Sequence, residues 1–358
     1  MVLGLVVRLL IQYTANGQSG LACPSLRVYS QKSSSLDLSQ LCSRIMMELG
    51  YLQRLTLQLT AGAAMLPDSI RDPHAKFVLS QQRDDGGWSG RDGDSDLYYS
   101  GFALRSLAIL GLLTGEVADA ASRFLLSRTE HQESVIDLLS LVYGAALIEA
   151  STEKNPLDGI AVDWQSRVTN LLTSLRQPDG GFARTAQASI GSTYQTFLVA
   201  ICLELMEHPL PCDDPSVKFL LSQRRDDGGF LEVRVAKRSG TNPTAAAIGA
   251  LRTLHALPES VAKDAAEFIS ELQSDEGGFQ ANTRMPLPDL LSTFTSCVTL
   301  WEADSLEKID TKRAWRYGLG MARADGGFAG FELDPGEDVE YTFYGLGLLS
   351  LLAPWQID

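Results

Sequence analysis

Residues 225–230 read "RDDGGF", and the phrase comes back along the chain. It returns as "RDDGGW" at 83–88, "PDGGF" at 178–182, "DEGGF" at 275–279 and "ADGGF" at 324–328. From Gly181 to Gly327 the second glycines step by 48, 49 and 49 residues, and Gly87 to Gly181 spans 94, close to two steps. A fixed period of this size is the mark of a stacked-repeat architecture. The doubled interval places one worn copy near "SRTEHQESVIDLLSLVYGAALIEA" (127–150), where the glycines are gone and the following helix survives.

Each unit carries two apolar segments. One, ending in "LLSQR", "LLTSLR" or "FISELQS", precedes the glycines; the other, such as "YYSGFALRSLAILG" or "YQTFLVAICLELM", follows them. Both show the i, i+3, i+4 spacing of helices that bury one face. Paired glycines open backbone angles closed to other residues, and the aromatic that follows fills the gap between units. Ser100, Thr193, Thr241, Ser292 and Thr342 recur where the second helix begins, which predicts N-caps. Strand patterns are nearly absent. The expected fold is all-α, about six helical hairpins joined by GGF or GGW turns, arranged as an open solenoid or a closed ring.

The 358 residues are 45% hydrophobic and 21% charged, the balance of a folded globular protein. With 30 basic and 44 acidic residues the net charge is -14, which opposes broad binding to nucleic acid or an anionic membrane. Cys23, Cys42, Cys202, Cys212 and Cys297 are odd in number and never in CxxC spacing, so neither a disulfide framework nor a zinc ribbon is indicated, and a cytoplasmic home is expected. The opening "MVLGLVVRLLIQY" lacks a basic start and a small-residue cleavage site, and it carries Arg8 inside its apolar run. Residues 1–35 are expected to form a loosely ordered extension and 36–358 the repeat domain. No apolar run suggests a membrane span. His74, His131, His208 and His255 form no ligand pair and read as surface or capping residues.

The period and the "QxxxGGF/W" turns, clearest in "QRDDGGW" and "QSDEGGF", resemble the repeats of protein prenyltransferase β subunits and terpene cyclases. The resemblance covers residues 75–353 and implies an α/α toroid. "GGWSGRDGDSDLYYSGFALRSLAIL" and "GGFAGFELDPGEDVEYTFYGLGLLSLL" look most like the first and last repeats of the type II (Rab) geranylgeranyltransferase β subunit. "MPLPDLLSTFTSCVTLW" looks like the stretch with two of its zinc ligands. In that family an Asp and a Cys two positions apart, with a His at the head of the last inner helix, hold zinc. Those positions here are Asp289, Leu291 and Tyr341.

Zinc in such a site lowers the pKa of an acceptor thiol, and three protein ligands leave one position for it. Leucine has no lone pair, and a phenol with a pKa near 10 is an unusual ligand. Asp289 is thus the one expected ligand retained, no cofactor is expected, and Cys297 lies almost two turns beyond Leu291, poorly placed to substitute. If the site is catalytic, Asp289 and Tyr341 are its candidates, with Tyr341 expected to face the cavity. For a diphosphate, the family's basic clamp is matched by Arg284 alone; Arg234, Lys237 and Arg238 in the adjoining loop are the other candidate cations. The family's inner helices line a cavity, to which Tyr99, Tyr194, Phe294, Trp301 and Tyr344 are assigned as isoprenoid contacts, with Tyr98, Phe102, Phe197 and Phe343. The alanines of "TAAAIGAL" widen one side.

The expected ligand is an isoprenoid diphosphate or another apolar small molecule, and the resemblance implies a helical-repeat α-type subunit as partner. Two other readings stand beside prenyl transfer. One is a non-catalytic toroid serving as a binding or scaffold protein. The other is a terpene cyclase-like enzyme, against which stands the lack of a DxDD motif; "DGDSD", with Asp92, Asp94 and Asp96, has the wrong spacing.

Overall fold

The computed structural model describes residues 49–130, 134–161 and 163–356. The extension expected over 1–35 lies outside the described residues, as do Cys23, Cys42 and His131. Among the described residues thirteen α-helices follow in order: α1 (Tyr51–Ala63), α2 (Asp68–Ser80), α3 (Leu97–Ile109), α4 (Gly115–Ser127), α5 (Val135–Thr152), α6 (Trp164–Ser174), α7 (Thr193–Leu205), α8 (Pro215–Ser222), α9 (Thr241–Thr253), α10 (Glu259–Ser270), α11 (Leu290–Glu302), α12 (Thr311–Gly320) and α13 (Val339–Leu352). From α2 onward they form six hairpins, each an outer helix followed by an inner one. Among the described residues two short 3-10 helices (Leu306–Lys308 and Ala353–Trp355) and isolated β-bridges accompany them.

Burial separates the two layers. The inner α13 buries 12 of its 14 residues, whereas the outer α2 buries only His74, Ala75 and Val78 of 13. A helix apolar on all sides needs neighbours on all sides. The inner helices α3, α5, α7, α9, α11 and α13 each pack against the next, and α13 packs against α3, so the wall is a closed ring. The helix α5 has the length and hydropathy of a membrane span, but it carries Asp137 and Glu149 and serves as one stave of this wall.

The glycine turns weld successive hairpins. Gly180 (φ +92°), Gly228 (φ +85°) and Gly277 (φ +98°) adopt angles that disfavour a side chain, and a Cβ at each would fall 2.4–2.7 Å from a carbonyl oxygen of the next outer helix. The same device closes the ring, where a Cβ on Gly326 would lie 2.3 Å from the Pro73 carbonyl of α2. The aromatics Trp88, Phe182, Phe230, Phe279 and Phe328 are fully buried between hairpins. Their N–H groups donate to the hydroxyls of Ser100, Thr196, Thr244, Thr293 and Thr342 at 2.8–3.2 Å.

The N-caps differ from those expected. Asp96, Ser192, Asp289 and Asp338 cap their inner helices, each accepting from the backbone N–H three residues on, and Gly240 stands at the cap of α9. Ser100 and Thr342 sit within the first turn and serve the buried aromatics. Thr193 and Thr241 donate to the carbonyls of Leu231 and Gln280 in the next loop, and Ser292 donates to Asp289. In the worn second hairpin, Ser134 supplies the cap of α5.

At the closing seam, side chains reinforce the weld. Arg91 forms a bidentate pair with Asp334 at 2.7 and 2.6 Å and reaches Asp338 at 3.2 Å. His74, expected at the surface, is buried with its ring 4.2 Å from that of Phe328, and burial lowers its pKa from 6.5 to about 4.

Helix α1 has no counterpart in the repeat and lies across one end of the ring. Its Tyr51 N–H donates to Glu204 at the end of α7 (2.7 Å), and Arg54 faces the buried Glu302 at the end of α11 (3.8 Å). Gly62 presses so closely on α13 that a Cβ would fall 1.8 Å from the Ser350 carbonyl. The ring therefore has a floor at the C-terminal ends of its inner helices and a mouth at their N-terminal ends.

Candidate functional site

A cavity of about 400 Å³ occupies the ring. Its floor is made by Leu52, Leu55 and Leu59 of α1 with Ile109, Ile201 and Val298 from the last turns of the inner helices. Its mouth is set by first-turn residues, Tyr98, Tyr194, Asn242, Leu291 and Glu340, and by Glu232 from the loop before α9. Between them Phe102, Phe197, Phe294, Phe343 and Tyr344 form an aromatic wall, with Phe294 and Phe343 edge to face at 5.5 Å and Phe102 and Tyr344 at 5.3 Å. Such a volume, mostly apolar with a few polar groups, is the ordinary form of a small-molecule pocket. Ala245 and Ala246 line it, so the small residues of α9 do leave room on that side.

Polar groups in the cavity are few. Glu340 Oε1 accepts from the Tyr98 hydroxyl (2.7 Å) and the Tyr344 hydroxyl (3.3 Å), and burial raises its pKa against the effect of these bonds. Glu232 accepts from the Ser192 hydroxyl, and burial raises its pKa as well. The guanidinium of Arg105 sits 4.7 Å over the Phe102 ring and 5.3 Å from that of Tyr143. The Tyr143 hydroxyl is hydrogen-bonded to that of Thr56, tying wall to floor.

The sequence candidates fall into three groups. Tyr194, Phe294 and Tyr344 line the cavity, as do Tyr98, Phe102, Phe197 and Phe343. Tyr99 and Tyr341 stand outside the lining, half-buried, their rings over Gly90 and Gly330, where a Cβ would come within 2.7 and 2.5 Å of them. Trp301 is half-buried in the last turn of α11 and is not among the lining residues. The expectation that Tyr341 faces the cavity is therefore corrected. Its side chain packs on the preceding loop, and burial with the nearby carboxylates of Glu340 and Asp289 pushes its pKa up to about 12. Arg234, Lys237, Arg238 and Arg284 are exposed on the loops before α9 and α11, without ion pairs among the described residues.

The positions of the family's zinc ligands do not make a donor set. Asp289 spends one oxygen on the Ser292 N–H and the other on the Ser292 hydroxyl, both at 2.7 Å. Burial raises its pKa despite those bonds. Leu291 offers the cavity a hydrocarbon, and Cys297 is fully buried, with burial raising its thiol pKa. Among the described residues no three His, Cys, Asp or Glu side chains converge for a metal. In "DGDSD", Asp96 is the cap of α3, and Asp92 and Asp94 are exposed.

Arg105, Glu340, Glu232 and helix α1 were not singled out in the sequence. The pattern of Leu52, Leu55 and Leu59 in "YLQRLTLQLTAGA" is a legible helical stripe, but nothing local says that it faces a ligand.

The prenyltransferase alpha-alpha toroid domain matches residues 42–254 and 245–358. Among solved structures, protein geranylgeranyltransferase-I of Candida albicans, complexed with GGPP, is similar at 17% identity, covering 78% of this chain and 90% of that one with a TM-score of 0.64. A type II terpene cyclase from Scytonema is similar at 14% identity, covering 83% and 98%, TM-score 0.54. So is an α-1,6-mannanase from Salegentibacter, at 10% identity, covering 79% and 98%, TM-score 0.55. At these identities the likeness is one of fold, and three chemistries share it. Among curated proteins, none matches the chain in sequence.

Proposed function

Because the chain belongs to the prenyltransferase α/α-toroid family, we propose that it holds an isoprenoid chain in the cavity of its ring and does so without a zinc-bound thiolate. The observation that carries this reading is the cavity itself: about 400 Å³, floored by leucines of α1 and walled by aromatics of four different inner helices. Aromatic faces and branched aliphatic side chains suit the methyl-branched, unsaturated surface of an isoprenoid. The similar transferase carries a geranylgeranyl diphosphate, which supports a lipid of that class here.

Within that reading Asp289 and Tyr341 do structural work. Asp289 caps α11, and Tyr341 seats α13 on the loop at Gly330. Transfer to a protein cysteine, the activity of a type II geranylgeranyltransferase β subunit, would need another way to activate the thiol. The reading thus favours an isoprenoid-binding toroid over a zinc-dependent protein transferase. Substitution of Ala245 by Phe projects a ring into the cavity from α9. We expect geranylgeraniol, titrated by calorimetry, to bind wild type at one site and Ala245→Phe at least about tenfold more weakly, as a filled pocket forfeits ligand burial. Undiminished binding by a folded Ala245→Phe protein would place the lipid elsewhere.

A further inference from the structure

Among the described residues that line the cavity there is a single cation, Arg105. It lies seven residues beyond Tyr98 on α3, about 10 Å down the helix from the mouth. Its guanidinium rests against aromatic faces at 4.7 Å (Phe102), 5.3 Å (Tyr143) and 5.7 Å (Phe343). Among the described residues no carboxylate pairs with it, and its Nε is buried without a hydrogen-bond acceptor. The nearest candidate counter-charge, Glu340, feels the Arg105 charge, but its Oε1 is engaged by Tyr98 and Tyr344. The Ser140 hydroxyl lines the same side of the cavity: Nη2 and Ser140 Oγ are 3.6 and 3.0 Å from where a Cβ on Gly101 would stand.

The Arg105 side chain is half-buried, and a purely hydrocarbon ligand filling the cavity would cover the guanidinium without giving it an acceptor, which is costly. We propose that the cavity takes an amphiphile bearing one acidic group, a terpenoid or comparable apolar carboxylate, whose oxyanion meets Arg105 inside the ring while its hydrocarbon fills the space toward the floor. The planar fork of a guanidinium matches a carboxylate with two parallel hydrogen bonds, and Ser140 adds a third donor. A diphosphate fits less well, since it would have to pass Glu232 and Glu340 at the mouth with a larger charge than one guanidinium neutralises. The exposed Arg234, Lys237, Arg238 and Arg284 lie outside that mouth and leave Arg105 unpaired. This inference rests on the cavity being the ligand site, as proposed above, but it concerns the head group and not the chain.

The test compares geranylgeranoic acid, geranylgeraniol and hexadecanoic acid by calorimetry at neutral pH. Wild type should bind geranylgeranoic acid at least about tenfold more tightly than the alcohol, the scale of one charge-assisted hydrogen bond. Arg105→Met should abolish the preference for the acid over the alcohol, and Arg105→Lys should keep part of it. Equal binding of acid and alcohol by wild type overturns the proposal, as does a preference that survives in Arg105→Met. If Arg105→Met does not fold, the wild-type ratio and Arg105→Lys decide. Hexadecanoic acid separates the two claims. Its Arg105-dependent binding without binding of geranylgeraniol would sink the isoprenoid reading and leave the acid site standing; binding of none of the three sinks both.

Discussion

The junctions between hairpins and the cavity they enclose are built on opposite principles. At the junctions one device is repeated: a glycine on the next helix's carbonyl, a buried aromatic, and a hydroxyl that accepts the aromatic's N–H. In the cavity the polar groups follow no such common device, although Tyr98 and Tyr194 hold the same position on their helices. The first gives Tyr98 and Arg105, the third Tyr194, the fourth Glu232 and Asn242, and the sixth Glu340. Repetition marks what every hairpin must do to stack, and departure from it marks what this ring does individually. Asp289 shows how the distinction decides a reading. Set beside Asp96 and Asp338, which cap α3 and α13 with the same bond to the third N–H, it belongs to the repeated part.

That division can be broken at several points. The largest effect is expected at Gly326, where alanine would drive a Cβ to 2.3 Å from the Pro73 carbonyl at φ +102°. Gly326→Ala should cost about 3 kcal/mol in chemical denaturation, combining backbone strain with overpacking at the closing seam. Gly93, at φ +93° with nothing within 4 Å, isolates the strain, and Gly93→Ala should cost about 1 kcal/mol. Similar losses at both would show that the weld contributes little.

Next in size is the acid response of the same seam. His74 has its folded pKa lowered from 6.5 to about 4, so its neutral form contributes stability that is complete above about pH 6.5 and lost as pH falls toward 4. The contribution is on the order of 3 kcal/mol across that window. Denaturation midpoints of His74→Leu should lack this component of the pH slope; an unchanged slope between pH 6.5 and 4 would mean that His74 is not its source.

The smallest effects sharpen the role of Asp289. Asp289→Ala should lose about 1 kcal/mol, as should Asp338→Ala once the loss of its Arg91 contact is allowed for, whereas Asp289→Asn should lie within a few tenths of wild type because asparagine caps as well as aspartate. Loss of lipid binding in a stable Asp289→Asn protein would return this residue to the functional site.

The repeated part was legible in the sequence because glycine pairs and aromatics at a fixed period have few other physical meanings. From them came the all-α fold, the six hairpins and the worn second turn. The N-caps were misplaced by a few residues because Ser and Thr in the first turn mimic caps; here Ser100 and Thr342 serve the buried aromatics 12 and 14 residues earlier, Thr193 and Thr241 hold the next loop, and Ser292 donates to the capping Asp289. Tyr99 and Tyr341 misled for a related reason. Helical position puts them near the mouth, but Gly90 and Gly330 open a space beside each that takes the ring away from the cavity. Arg105 and Glu340 were invisible because a single charged residue in an apolar helix carries no period, and its meaning appears only when four or five helices converge around it.

The central claim is that the ring binds an isoprenoid chain without zinc. It is tested most directly by titrating geranylgeraniol into protein stripped of metal with a chelator and into the same protein resupplied with zinc. The account predicts one saturable site of equal affinity in both preparations and no stoichiometric zinc retained after dialysis. Binding that appears only with zinc, or one tightly held zinc per chain, would contradict it.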